Sequence, residues 1–561
     1  MTHAGPELAI LADTIHTLSE QRGITALGIT DGRVTHLGTR EEADGWGARR
    51  VVDHGAATLV PGLVDAHIHP VHGQSMARGV FLGDAATPEE VGAILAEGAE
   101  GAASAGGWVL GWGLKQTVFG ERAPEGRFLE RFLPGVRVHV MFFDGHASIA
   151  SPAALAAAGV AQGGPVPGGG EIVADAEGRP TGFLVETTAM ERVLDVVPPM
   201  SFEEKTRAVL ATFEGMAAAG LTGGEVLDLE DPDSIAVLEA IEERGELPLR
   251  LRVAPWILSK HGPEQLERVL ALQGRAGRRF LVRGAKLMID GTIDNGSAWL
   301  HRPDAYGEGT HGHYSEPERY LSTLRTLHEA GVTTTTHAIG DRGIRFVIDA
   351  IAGLPAGGPR HRIEHLEELD DEGLAALRAC GAAASMQPTH CTHFLEADHS
   401  DAWSRRLGDE RVDFAFRLRD VHGTGVVLAL GSDWPIAPYD PREIMADARS
   451  RRRTAVPGSE PILPAQGLTA LEALEGYTAR VHESTGASGG RIVLGATADL
   501  TVLDADPLTI TPEEMAAAGV VATYVGGERV AGEKAAAVRE VAGDGAGATG
   551  ASSSGASGSG A

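Results

Sequence analysis

Four histidines, one aspartate and one lysine carry the chemistry that can be read from this chain of 561 residues. His67 and His69 lie two apart in "DAHIH", a spacing that turns both imidazoles to one face of a strand. His337 ends the run "TTTTHA", His365 ends "RIEH", and Asp433 stands in "GSDW". Each has an ordinary explanation by itself. A lone strand histidine is more often a hydrogen-bonded core residue than a ligand, and "GSD" could be a turn or a helix N-cap. At the ends of separate strands, all together, they read as a metal centre. Imidazole and carboxylate suit zinc, and also manganese, iron or cobalt.

The sixth group is Lys286, inside "RGAKLMIDGT", a run that otherwise reads as a buried strand. A buried lysine is costly unless its charge is paired or removed. Beside divalent cations, repulsion and desolvation both lower its pKa. A neutral amine can then take up carbon dioxide to form a carbamate, an anionic ligand whose two oxygens can bridge two metals.

Elements must bring these groups to one point. The stretches "ATLVPGLVDAHIH", "GLTGGEVL", "LRLRVAPWI", "FLVRGAKLMI", "GVTTTTHAI", "RHRIEHL", "GAAASMQP" and "GVVLALGSD" read as strands, with helices such as 203–219 and 343–352 between most of them. This rhythm predicts an α/β fold, a TIM-type (β/α)8 barrel, whose active site sits where the strands end. Residues of about 72–198 interrupt it after the first strand and predict an inserted lobe over the barrel mouth. Strand-rich texture at 1–58 and again at 485–535 predicts one small β-sandwich built from both termini, flanking a barrel of 59–484. The Ala/Gly/Ser-rich 536–561 predicts a disordered tail.

Composition narrows the function classes. The net charge is −29, from 48 Lys+Arg against 77 Asp+Glu, which repels nucleic acid and anionic membrane. Two cysteines, Cys380 and Cys391, do not make a disulfide framework. No basic leader precedes an apolar core at the start, and no apolar run reaches membrane-spanning length. The expectation is a cytoplasmic protein acting on a small molecule, with room for a homodimer.

The motifs "PGLVDAHIH", "FFDGHASIASPAAL", "KLMIDGTI", "HAIGDRG", "RIEH", "MQPTH" and "GSDWPI" occur in an order that resembles the amidohydrolase superfamily. The likeness is to the metal-dependent branch that includes N-substituted formamide deformylases, and it spans nearly everything but the tail. The resemblance implies that His67 and His69 bind one metal, His337 and His365 a second, and carboxylated Lys286 bridges them. It implies that Asp433 binds the first metal and shuttles protons, and that His146 of "DGH" faces the substrate. The expected reaction is cleavage of a non-peptide amide C–N bond by a metal-bridging hydroxide, with cyclic amides or esters as the alternative electrophiles and a non-catalytic binding member as the alternative role. Asp290, Gln387, His390 and Trp434 are the further candidates for substrate contact.

Overall fold

Turn residues and prolines cut the apolar runs into shorter strands than their lengths suggest. In the computed structural model, residues 5–532 are described, apart from 84, 100–106, 121, 168 and 229–232, together with the backbone of 538–540. The central strands are β1 (Leu63–Ile68), β2 (Leu221–Val226), β3 (Arg250–Val253), β4 (Trp256–Ile257), β5 (Phe280–Val282), β6 (Ala285–Met288), β7 (Thr334–Ala338), β8 (Arg362–His365), β9 (Ala383–Met386) and β10 (Leu428–Leu430). All their pairings are parallel.

Two of the expected strands are broken in the middle. "LRLRVAPWI" breaks at Ala254–Pro255, where proline has no N–H to give a ladder. "FLVRGAKLMI" breaks at Gly284, whose φ of +122° takes the backbone out of the strand region. The ladder consequently forms two arcs rather than one closed ring, β5–β3–β2–β1 and β4–β6–β7–β8–β9–β10. The arcs meet again at the parallel bridge between Ile68 and Trp434, where Asp433 N donates to His67 O at 2.8 Å. The expected closed eight-stranded barrel is therefore corrected to a barrel-like α/β arrangement of two hydrogen-bonded arcs.

Helices between the strands present apolar stripes to them. On Asp341–Ala352, the buried Ile344, Val347, Ile348 and Ile351 recur at the three- and four-residue spacing of one helix face. The helix Phe202–Ala218 is started by a capping box, in which the Ser201 hydroxyl accepts from Glu204 N and the Glu204 carboxylate from Ser201 N. No helix among the described residues is long and apolar enough to cross a membrane.

"ATLVPGLVDAHIH" also divides, at Gly62. Thr58–Pro61 pairs with Leu500–Leu503 in a sheet separate from β1. A second terminal sheet holds Leu8–Leu11, Ala26–Thr30, Arg33–Gly38, Arg50–Asp53 and Val538–Glu540. Leu8, Ile10, Leu27 and Ile29 of one sheet share a core with Leu59, Leu500, Val502 and Tyr524 of the other. Strand Val538–Glu540 falls inside the stretch expected to be a disordered tail, because its backbone pairs antiparallel with Arg50–Val52 at the edge of the sheet. The rest of that stretch, 536–537 and 541–561, lies outside the described residues. Between β1 and β2, seven strands from Val80–Phe81 to Pro180–Val185 form a sheet of their own.

Candidate active site

The C-terminal ends of β1, β7, β8 and β10, and the length of β6, meet at one buried place. His67 Nε2 lies 3.2 Å from His69 Nε2, 3.1 Å from Lys286 Nζ and 3.2 Å from Asp433 Oδ1. His69 Nε2 is 2.9 Å from the same aspartate oxygen. The His365 ring stands 5.0 Å from that of His67 and 4.5 Å from that of His337, centroid to centroid. Lys286 is 1% exposed. His67, His365 and Asp433 each offer a ligand atom within 4.8 Å of the others.

Backbone strain helps to aim these groups. His365 and Asp433 have φ of +69° and +61°, a left-handed conformation uncommon outside glycine and a feature of functional sites. Gly431 lets β10 lie against β1: a Cβ there would come 2.7 Å from His67 N and 2.9 Å from Asp65 Oδ1. Asp65 Oδ1 ties the two strands by accepting from His67 N and Ser432 N, both at 3.0 Å.

Glu364, whose place inside "RIEH" gives no sign of a role, fixes the proton on His67. Its Oε2 is 2.8 Å from His67 Nδ1, and its Oε1 accepts from Arg362 Nε at 2.6 Å. All three side chains are fully buried. A carboxylate acceptor places the hydrogen on Nδ1, so Nε2 turns a lone pair to His69, Asp433 and Lys286. Arg362, flanking the histidine, is thus a structural partner of Glu364 and of Ala66 O.

The electrostatics follow from burial. Burial lowers the Lys286 ammonium to about 8, against the pull of the Glu364 and Asp433 charges. His67, His337 and His365 are held well below their ordinary value by burial and by the Lys286 charge among their neighbours. Asp433 is pushed up by burial, but His69, His390 and Lys286 bring it below the ordinary carboxylate value.

The set fits a divalent cation. Asp433 Oδ1, His69 Nδ1 and His365 Nδ1 are buried with no hydrogen-bond partner among the described residues. Two imidazole nitrogens and a carboxylate oxygen, all able to act as acceptors, crowd together at 2.9–3.2 Å. Such acceptors repel one another unless a cation joins them.

A cavity of about 840 Å³, mouth included, opens onto this centre. His146 and His390 line it. His146 Nδ1 sits 3.1 Å from Glu186 Oε2, and its ring 5.4 Å from that of His337. Burial alone would lower His146, but the charge and hydrogen bond of Glu186 together with Asp144 raise it to about 9. Glu186 (φ +65°) also lies 3.4 Å from His313 Nε2; neither residue stands out in the sequence, since no spacing links them to "DGH". The His390 ring stacks 5.8 Å from His365, with Nε2 3.6 Å from Asp433 Oδ2.

Three expected substrate contacts are placed elsewhere. Asp290 is fully buried, and its carboxylate accepts from the backbone N–H of Trp299 (2.8 Å), Ile339 (3.1 Å) and Gly340 (2.9 Å). It anchors the turn behind His337, because β6 ends at Met288 and strand parity no longer applies two residues on. Gln387 is outside the cavity lining and brings Nε2 to 3.4 Å from His67 Nδ1. Trp434 packs away from the cavity toward Gly73 and Tyr439, and Ile436 lines the wall instead.

The chain is similar to known proteins over most of its length. YtcJ of Bacillus subtilis is 30% identical over 534 residues, covering 92% of this chain and 97% of its own length. N-substituted formamide deformylase of Arthrobacter pascens is 26% identical over 562 residues, covering 93% and 97%. In fold, the chain is similar to an uncharacterized metal-dependent hydrolase from Pyrococcus horikoshii, with a TM-score of 0.68 at 23% identity over 90% of this chain and 99% of that one. An ochratoxinase from A. niger gives 0.53 at 16% identity, with 94% and 96% covered. The fold is thus of the TIM-barrel type. Residues 50–531 match the amidohydrolase family, and the chain belongs to that family.

Proposed function

We propose that this protein hydrolyses the carbon–nitrogen bond of a small non-peptide amide, with divalent metal held by His67, His69, His337, His365, Asp433 and a carboxylated Lys286. The observation that carries the reading is the crowding of acceptors on His67, His69 and Asp433 beside a buried lysine whose pKa is lowered to about 8. A lysine near neutrality has the free amine that carbamate formation needs. The amide bond as target is supported by the N-substituted formamide deformylase among the relatives.

When bound, divalent metal would polarise the scissile carbonyl and supply an activated water at neutral pH. The protein's own groups do the rest. Asp433 lines the cavity, and its carboxylate can take a proton from water and return it to the leaving nitrogen, which must be protonated to depart. His146, held through Nδ1 by Glu186, turns its other nitrogen to the substrate and steadies the developing negative charge on oxygen. The lobe loop that carries it is fastened to the barrel through Asp144, which accepts from Asn295 and Thr292. Residues 1–58 and 485–535 form the flanking sandwich in this reading, and about 72–198 the lobe.

The test is metal analysis of the purified protein together with a panel of formamides, N-acyl amino acids, cyclic amides and aryl esters under zinc and manganese. Metal above one equivalent and turnover of the formamides are expected. A metal-free protein with full activity, or turnover confined to esters, would remove the reading.

A further inference from the structure

The cavity wall beyond the histidine centre is acidic and aromatic, and His146, raised to about 9 by Glu186, is a lining cation beside Asp144. Asp144, Asp294 and Glu367 line it, whereas among the described lining residues Lys286 is the one Lys or Arg, and it belongs to the centre. Asp144 is already occupied, accepting from His146 N, Asn295 and Thr292. Asp294 accepts from no other described side chain, and Glu367 keeps one carboxylate oxygen without a hydrogen bond. No described residue other than Asp294 itself donates to the Asp294 carboxylate. Arg406, which donates Nε to the Asp294 backbone carbonyl at 2.9 Å, spends its charge on Asp304 (2.5 Å) and Glu308 (2.7 Å).

Glu367 is only 5% exposed. Its Oε2 accepts from Trp403 Nε1 at 3.1 Å; its Oε1 has no hydrogen bond and lies 3.8 Å from His390 Nδ1. Burial and the charges of Glu367, Asp144 and Asp401 hold the Asp294 carboxyl well above its ordinary value. A carboxyl group set among other carboxylates gains from an arriving cation. The rings around them suit one. Phe143 stacks on Phe394 with centroids 3.8 Å apart, and Trp403 lies 6.4 Å from Phe416. Aromatic faces attract a desolvated ammonium as well as apolar groups.

We propose that this end of the cavity binds an ammonium group carried on an aromatic or apolar arm of the substrate, with Asp294 and Glu367 as its counter-ions. The proposal rests on the reading that the cavity over the histidine centre holds the substrate. It makes the preferred substrate an amide that bears a second, basic nitrogen.

The experiment is calorimetric binding to the metal-loaded protein at neutral pH, with benzylammonium and its neutral counterpart benzyl alcohol as probes. Benzylammonium is expected to bind at least about tenfold tighter, and both Asp294→Asn and Glu367→Gln to reduce that preference about tenfold at unchanged metal content. Equal binding of the two probes overturns the proposal, as does a preference that survives both substitutions. Loss of metal from Glu367→Gln would assign that carboxylate to the metal centre and overturn it too. If Glu367→Gln does not fold, Asp294→Asn alone decides, its side chain being only partly buried. Binding needs no turnover, so failure of amide hydrolysis and failure of the cation site are separate results.

Discussion

At the scale of single residues, the centre depends on who holds which proton. Lys286→Ala removes the one group able to bridge as a carbamate. It is expected to lose most bound metal and activity, with partial return on adding short carboxylic acids, read by metal analysis and turnover side by side. Glu364→Gln tests the layer behind the ligands. An amide can still meet His67 Nδ1 but no longer carries the charge that Arg362 balances, so metal affinity should fall about 10–100-fold; competition with a chelator measures it. His67, His69, His337, His365, Lys286 and Asp433 stand out in the amino-acid sequence itself, because each polar type breaks an apolar run or closes one. Glu364 does not. It interrupts a run too, but its meaning lies in a contact with a residue 297 positions away. Asp290 misleads for a related reason: alternation along a strand says where a side chain points only while the strand lasts.

At the scale of elements, the meeting of β10 with β1 sets the geometry. Gly431→Ala would drive a Cβ to 2.7 Å from His67 N and force the strands apart. A loss of about 1–3 kcal/mol in stability is expected, with a larger loss of metal affinity than of fold, measured by denaturant unfolding and metal titration. The strands are legible as apolar runs, and the helices as 3.6-residue patterns. Where runs break is less so. Pro255 and Gly284 sit within runs that still read as strand on both sides, and only the backbone's missing N–H or positive φ divides them. The terminal strand Val538–Glu540 is hidden by composition, since "AAAVRE" borders a stretch of small residues and owes its order to the partner strand Arg50–Asp53.

At the scale of the whole molecule, stability should fall on mild acidification for a reason unrelated to the metal. His139, in the lobe strand Arg137–Phe142, is buried with Nε2 unpartnered, and burial lowers it from 6.5 to about 4. Its folded value lies below its unfolded value, so its contribution is complete above pH 6.5 and is lost as the pH falls toward 4. That contribution amounts to at most about 3 kcal/mol. His139→Phe should flatten this part of the stability curve, seen as a smaller drop in melting temperature between about pH 7 and 4.5. The positive φ angles of His365 and Asp433 reach further still. Each residue occupies a backbone conformation that glycine or asparagine tolerates better, at an expense of about 1–3 kcal/mol. Random variation screened for heat resistance alone would therefore drift toward those replacements and discard the hydrolase. Thermal hardening of this scaffold has to exempt these two positions by design.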